Sequence, residues 1–253
     1  MDAATTSLAP ANSTRGEWAQ FAAFLKRPVL PPRAPLPRLA SLVATGRMLV
    51  LDLAVMGALV ALAGLAMSAG IDMPETALAG VDLDTATIVA VVIVAPVLEE
   101  LAFRSWLSGR PGHVLGVLVA LPAAALAAVG FAAIAPGGLG TIWLSVLAGF
   151  VVALLVALAT AYALRRRDAM RWFRRAFPLF FWGSTLAFAG VHLLNFPEDQ
   201  LAMALPLILP QFATGAMLGY LRVNYGLWAS MLLHALHNGA IIALVLLAGS
   251  AAG

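Results

Sequence analysis

The stretch GTIWLSVLAGFVVALLVALATAYAL, residues 140–164, contains no charged side chain over its whole length. A helix that crosses the hydrocarbon core of a bilayer needs about 20 mainly apolar residues, and this stretch is long enough. It is followed at once by Arg165, Arg166 and Arg167, which are typical of the point where a span reaches the cytoplasmic headgroups. The stretch therefore predicts a transmembrane α-helix.

The composition of the whole chain extends this prediction to most of its length. Of the 253 residues, 62% are hydrophobic and 11% are charged, whereas soluble domains are about half apolar and a quarter charged. A chain with so few charges cannot cover a water-facing surface, so lipid must be its main solvent. Cysteine is absent, which excludes disulfides, thiolate metal sites and thiolate nucleophiles.

Six further apolar runs accompany the first, and the connections between them are short. We therefore predict an all-α fold, a polytopic transmembrane helix bundle of about seven spans, in one domain over residues 39–253. In chain order, the predicted spans lie near residues 44–68, 85–107, 113–134, 140–164, 177–196, 201–221 and 226–248.

Residues 1–38 are predicted to form a flexible cytoplasmic arm. Asp2 and Glu17 occupy the region that is basic in a cleavable signal peptide, so the arm is not read as one. The prolines between residues 28 and 37 remove backbone donors and bar a regular helix. We expect that part of the arm to be extended.

Charge in the connections predicts the orientation in the membrane, since Lys and Arg stay on the cytoplasmic side. Four segments are basic: the arm, the connection with Arg110, the connection that begins at Arg165 and the connection with Arg222. The connections between them are acidic or, around Pro136, uncharged. This alternation predicts a cytoplasmic N-terminus and an external C-terminus. The same basic residues favour membrane lipids with anionic headgroups as partners, and not nucleic acid.

The second predicted span contains the first group of candidate functional residues. An ionisable side chain inside a span is costly and is therefore a candidate for function. Glu100 and Arg104 are four residues apart, so they share a helix face and are expected to pair. Glu99 projects about 100° away around the helix and is a candidate general base. The alternative interpretation is a charge cluster at a helix end near the headgroups.

Two further pairs of residues have the same spacing of four. Phe188 and His192 lie in the fifth predicted span, and His234 and Asn238 lie in the seventh. The second pair can direct hydrogen-bond donors or metal ligands at one point between helices. A lone histidine such as His192 can equally be a hydrogen-bonded structural residue. His237 is expected to project elsewhere and to be structural.

Two other pairs are expected to serve packing or charge balance. Arg47 and Asp52 lie in the first predicted span, where we expect them to pair or to reach towards the cytoplasmic face. Gly215 and Gly219 form a GxxxG pattern, which lets a neighbouring helix approach closely.

In chain order, the candidate groups spell EExxxR, FxxxH and HxxxN on three hydrophobic helices. This ordered set resembles the CPBP family of CAAX proteases and bacteriocin-processing enzymes, which includes the type II CAAX prenyl endopeptidases. Gly219-Tyr220 and Leu227-Trp228 resemble that family's last motif region. The resemblance covers residues 85–245 and leaves the arm and the first span outside.

The resemblance implies an intramembrane endopeptidase of a bacterial inner membrane that cleaves a membrane-embedded or lipidated, CAAX-like peptide. The catalytic residues that it implies are Glu99, Glu100, Arg104, His192, His234 and Asn238. Of these, Glu99 and His192 would activate the attacking water, the Glu100–Arg104 pair would hold the geometry, and the last two would stabilise the oxyanion. A glutamate and two histidines could also bind a divalent metal such as Zn²⁺, although their spacing does not require one.

Other classes of membrane protein fit the sequence poorly. It has no HExxH, no GxSG and no GxGD motif, which other intramembrane proteases would need. A retinal protein needs a lysine in a late span, but the single lysine is Lys26. The alternative that stays open is a non-catalytic CPBP-like membrane scaffold or immunity protein within a larger complex.

Overall fold

A computed structural model describes residues 10–32, 34, 36–76, 80–135 and 137–252. Within these ranges the regular secondary structure is entirely helical, and seven of the helices are long and apolar enough to cross a membrane. The predicted all-α fold with seven candidate spans is therefore confirmed. The predictions that concern residues 1–9, Arg33, Pro35 and Pro136 lie outside the described residues.

The helices are numbered in chain order. Their bounds are α1 Thr14–Lys26, α2 Leu39–Ser68, α3 Thr85–Ser108, α4 Pro111–Ile134, α5 Leu139–Ala163, α6 Arg171–Arg175, α7 Phe177–Val191, α8 Leu209–Asn224 and α9 Leu227–Ala252. Helix α7 continues as a 3₁₀ turn over His192–Asn195, and short helical turns from Glu198 lead into α8. All of these except α1 and α6 belong to the candidate spans.

Helix α3 has an irregular course that matters for the site. The Asp84 carboxylate caps its first turn by accepting a hydrogen bond from the Thr87 N–H at 2.7 Å, and this bond lowers the pKa of Asp84. A π turn over Ala90–Val94 follows, and the helix ends as a 3₁₀ turn over Ser105–Ser108. Single π turns inside α-helices occur frequently at functional sites.

Residues 14–26, expected to belong to a flexible arm, instead form helix α1. The Ser13 side chain accepts a hydrogen bond from the Gly16 N–H at the first turn, a favourable N-cap. One face of the helix, with Phe21 and Phe24, is buried. From Arg27 to Arg38 the described residues are not helical, as the prolines predict.

A buried carboxylate explains why α1 packs. Glu17 is completely buried, and its Oε1 accepts hydrogen bonds from the hydroxyls of Tyr220 at 2.9 Å and Tyr225 at 2.6 Å. Its other oxygen accepts the Ala11 N–H at 3.1 Å. This anchor is not predictable from the sequence, because both tyrosines are more than 200 residues further along the chain.

The chain divides into two compact units. The first, which we call the polar unit, comprises residues up to Arg104 together with those from Phe177 onwards. The second, the hairpin unit, comprises Ser105–Ala176. Every candidate catalytic residue belongs to the polar unit.

In the hairpin unit, helices α4 and α5 approach each other through small residues. A Cβ on Gly149 would lie 2.8 Å from the Ala124 carbonyl oxygen, and one on Gly112 would lie 3.0 Å from the Ala161 Cα. At the open end of the hairpin, the Arg110 guanidinium donates to the backbone carbonyls of Arg165 and Arg167. The connections that precede α4 and follow α5, both predicted to be cytoplasmic, therefore lie at the same end.

In the polar unit, α8 is the most enclosed helix. Every residue of Thr214–Asn224 is buried, so this part of the helix is covered on all faces. It ends in a tight turn at Gly226, whose positive φ of 107° favours glycine and whose N–H donates to the Leu221 carbonyl. Helix α9 begins directly afterwards, so α8 and α9 are neighbours in the same unit.

Candidate active site

The predicted pair in α3 forms a buried ion pair. The Arg104 Nη1 lies 2.6 Å from the Glu100 Oε1, and both side chains are at most 1% exposed. The i,i+4 spacing thus produces the expected contact, and the prediction is confirmed. A buried charge is tolerated only when it is paired and hydrogen-bonded, so each of these two residues depends on the other.

The backbone around this pair is held by side chains from two other helices. Ser184 of α7 donates its hydroxyl to the Phe103 carbonyl at 2.6 Å, and Arg222 of α8 donates its Nε to the Arg104 carbonyl at 2.9 Å. These carbonyls precede the 3₁₀ end of α3, where regular helical partners run out. Arg222 was expected to be a cation of a connection, but it lies within α8 and is only 8% exposed. Its bond to α3 explains its burial.

His234 of α9 connects the two glutamates. Its Nδ1 lies 3.1 Å from the Glu100 Oε1, and its Nε2 lies 3.6 Å from the Glu99 Oε2. His234 is 4% exposed, whereas the Glu99 side chain is 31% exposed. Glu100 is thus engaged on the inner side with Arg104 and His234, and Glu99 presents its carboxylate at the more open edge.

The ring of Phe188 lies at the centre of this group. The Arg104 guanidinium carbon is 4.0 Å from the ring centroid, a cation–π distance. The rings of His192 and His234 contact the same phenyl ring edge to face, with centroid distances of 4.8 and 5.6 Å. The spacing FxxxH revealed that Phe188 and His192 share a face, but not that the phenylalanine packs against three polar side chains.

The orientation of His192 is fixed by its own helix. Its Nδ1 donates to the Phe188 carbonyl at 2.7 Å, at the point where α7 passes into the 3₁₀ turn. With the proton on Nδ1, the Nε2 of a neutral ring is a hydrogen-bond acceptor.

Asn238 makes one hydrogen bond that was not predicted. Its amide Nδ2 donates to the Val91 carbonyl at 2.8 Å, within the π turn of α3. Because a π turn shifts the regular hydrogen-bond pattern, a backbone carbonyl there needs another donor. One of the two amide protons is therefore used by α3.

A second polar cluster lies one turn along α9. The Nδ1 of His237 is 2.6 Å from the Asp52 Oδ2, and the Thr214 hydroxyl donates to the Asp52 Oδ1 at 2.8 Å. The expected pairing of Arg47 with Asp52 is replaced by separate contacts, since Arg47 donates to the backbone carbonyls of Ala11 and Asn12. This cluster was not predicted from the sequence, because His237 and Asp52 are 185 residues apart.

The GxxxG glycines act as expected. A Cβ on Gly215 would lie 3.0 Å from the Phe188 ring and 3.4 Å from the Arg104 Nη2, and one on Gly219 would lie 2.8 Å from the Phe181 ring. The absence of side chains lets α7 approach α8 closely. Gly215 thereby makes room for the phenyl ring on which the site is built.

A three-ligand zinc site does not fit the described residues. No three His, Asp or Glu side chains in the described part of the chain are grouped closely enough to hold a metal ion. Glu99 and His234 are near each other, but the Nδ1 of His234 is engaged with Glu100. The Nδ1 of His192 is engaged with the Phe188 carbonyl. We therefore assign no catalytic step to a metal.

These observations define the class of the protein: an all-helical integral membrane protein with a buried glutamate–arginine–histidine site drawn from several spans. Residues 82–240, more than half of the chain, match the family model described as "Type II CAAX prenyl endopeptidase Rce1-like". The chain belongs to this Rce1-like family of CAAX-type intramembrane endopeptidases, which confirms the resemblance seen in the motifs. No curated protein and no solved structure matches it. Helices α1 and α2 precede the matched region.

Proposed function

We propose that this protein is an intramembrane endopeptidase that hydrolyses a peptide bond in a membrane-associated or lipidated, CAAX-like substrate. The observation that carries the proposal is the contact of His234 with both glutamates of α3. It brings together a partly exposed carboxylate, a histidine and a buried Glu100–Arg104 pair. Peptide hydrolysis requires a base beside the water and donors where negative charge develops.

Glu99 is the general base in this proposal. Its side chain is 31% exposed, so water can reach it, whereas Glu100 is completely buried and paired with Arg104. His192 supports the same role, because its bond to the Phe188 carbonyl leaves Nε2 as an acceptor for a water proton. Glu99 accepts a proton as the water oxygen attacks the peptide carbonyl carbon.

His234 is the main oxyanion donor in this proposal. Its Nδ1 faces the Glu100 carboxylate, so the ring must be doubly protonated to donate also from Nε2. In that state Nδ1 donates to the Glu100 carboxylate. Asn238, one turn further along α9, has a second amide proton besides the one given to Val91.

The steps balance without any further reactant. Water adds to the carbonyl carbon, its proton passes to Glu99, and the carbonyl oxygen becomes an oxyanion beside His234. The tetrahedral intermediate then collapses, the C–N bond breaks, and the proton held by Glu99 moves to the departing amine. The products are a carboxylic acid and an amine, and Glu99 returns to its starting state. The second proton of the water then passes from the acid to the amine, which gives a carboxylate and an ammonium ion.

The location of the protein in the membrane indicates where its substrate is held. The site lies on helices that cross the membrane by length and composition, so a substrate held in the bilayer by lipid or by its own apolar segment can reach it. We further propose that the N-terminus is cytoplasmic and that the membrane is a bacterial inner membrane. The connections with Arg110 and Arg165 at one end of the hairpin support this orientation.

The test is turnover of a prenylated reporter peptide by the purified protein in detergent. Glu99→Gln keeps the size of the side chain but cannot accept the proton, so turnover should fall by at least about 10²-fold. Its thermal melt should not be lowered, because a neutral amide costs less to bury than a carboxylate. Glu198→Gln, at an exposed glutamate, is the matched control and should retain full activity. Full activity of Glu99→Gln would contradict the catalytic assignment, and lack of turnover in the wild type would favour the non-catalytic scaffold.

A further inference from the structure

The Asp52 cluster joins three helices of the polar unit. Asp52 of α2 is completely buried, and its two oxygens bind different partners, His237 of α9 and Thr214 of α8. Asp52 also lies outside residues 82–240, so the family match does not account for it. The cluster is therefore a feature that the proposed mechanism has not used.

The place of His237 on α9 links this cluster to the active site. His237 follows His234 by three residues, a spacing that puts neighbouring side chains on adjoining parts of one helix face. Asn238 comes directly after it. These three residues engage different parts of the unit: His234 meets the glutamates, His237 meets α2, and Asn238 meets the π turn of α3. A rotation of α9 about its axis would disturb all three contacts together.

The polar contacts oppose that rotation. Between apolar helices in lipid there is little hydrophobic driving force, so packing and polar bonds determine how helices associate. A rotation that separated His237 from Asp52 would leave a carboxylate buried without its partner, which is strongly unfavourable. Hydrogen bonds to a charged group are also about twice as strong as neutral ones.

We propose that Asp52, Thr214 and His237 are positioning residues that set the rotation of α9 and so hold His234 against Glu99 and Glu100. For its effect on turnover this inference rests on the proposed function. Its structural part does not, because the position of α9 can be measured without any substrate.

The first experiment measures turnover in variants of the cluster. Asp52→Leu removes both acceptors, and kcat should fall by about 10²-fold, the effect of a misplacement of roughly 1 Å, with little change in KM. His237→Asn keeps a donor near the position of Nδ1 and should retain most of the activity. Thr45→Val is the matched control, because Thr45 is buried in the same helix but donates to the Ser41 carbonyl of that helix. It should behave like the wild type.

The second experiment measures the position of α9 directly. The chain contains no cysteine, so two introduced cysteines can be labelled without interference. Spin labels at Val89 of α3 and Leu236 of α9, both exposed, give a distance distribution by pulsed electron paramagnetic resonance. We expect Asp52→Leu to shift or broaden this distribution and Thr45→Val to leave it unchanged. If Asp52→Leu does not fold, Asp52→Asn, which keeps the size and one acceptor, should show a smaller change in the same direction.

The outcomes separate the two proposals. Loss of kcat together with a changed distance supports the positioning role. A changed distance in a protein whose wild type shows no turnover overturns the proposed function but supports the positioning role. An unchanged distance overturns the positioning role whether or not kcat falls.

Discussion

Close contact through small residues packs helices in both units, but the polar unit adds contacts between charged and hydrogen-bonded side chains. In the hairpin, glycines and alanines let α4 and α5 approach until backbone atoms meet, as at Gly149 and Ala124. In the polar unit, charged and hydrogen-bonded side chains connect helices that are distant in sequence, as Glu100 connects with His234. Small-residue contact needs only complementary shape, whereas polar contact also places chemical groups. This difference explains why the candidate catalytic residues all lie in the polar unit.

The largest expected effect concerns the buried ion pair of the polar unit. Glu100→Gln leaves the Arg104 guanidinium, 1% exposed, without its counter-charge, and should destabilise the protein by about 3–5 kcal/mol. The measurement is an unfolding titration in mixed micelles. The double variant Glu100→Gln/Arg104→Met is the control and should recover most of the loss. Equal stability of wild type and single variant would show that this unit does not depend on its charges.

A smaller effect is expected in the hairpin unit. Gly149→Ala places a Cβ about 2.8 Å from the Ala124 carbonyl oxygen, and such overpacking costs about 1–3 kcal/mol. Gly130→Ala is the matched control, because a Cβ at Gly130 of α4 meets none of the described residues within 4 Å. The same unfolding titration compares the two variants. If both variants have the same free energy of unfolding, close contact between α4 and α5 is not what stabilises the hairpin.

The smallest expected effect is a difference between the two units in how their stability depends on pH. Burial, followed by the hydrogen bond to Glu17, raises the pKa of Tyr225 above its ordinary value near 10. A raised pKa means that the folded protein holds this proton more tightly. Stability from this site is therefore complete below about pH 10 and declines as the pH rises further, because the unfolded chain ionises first.

Tyr225→Phe should accordingly lose less stability than the wild type between about pH 10 and pH 11. Tyr162→Phe, at an exposed tyrosine of the hairpin unit, should follow the wild type. Thermal melts across this pH range provide the measurement. A Tyr225→Phe curve parallel to that of the wild type would contradict the coupling to Glu17.

Hydropathy was sufficient to predict the spans, and helical periodicity predicted the local pairs. The run predicted at 85–107 is found at Thr85–Ser108 and the one at 177–196 at Phe177–Asn195, because a span must be apolar over the whole thickness of the bilayer. The Glu100–Arg104 pair followed from its spacing alone. These features depend on residues that are close in sequence, so a single sequence contains the information.

Contacts between distant residues were not predictable in this way. His237 was taken as structural and Arg222 as a cation of a connection, since nothing near them in sequence indicates Asp52 or the Arg104 carbonyl as partners. Helix α1 was not predicted for the same reason. Its buried Glu17 is stable because distant donors, Tyr220 and Tyr225, bind the carboxylate. Which helices become neighbours is decided by packing of the whole unit, and periodicity describes one helix at a time.

The anchor of α1 also has a consequence for biosynthesis. Tyr220 follows Glu17 by 203 residues, and at about 5–20 residues per second the ribosome needs roughly 10–40 s to complete that distance. During this interval the carboxylate of this 13-residue helix lacks its two tyrosine donors, and a helix this short is marginal in water by itself. We expect α1 to dock only after the end of α8 has been synthesised. The emergence of Tyr220 and Tyr225 from the ribosome is then the moment at which α1 can become protected from proteases.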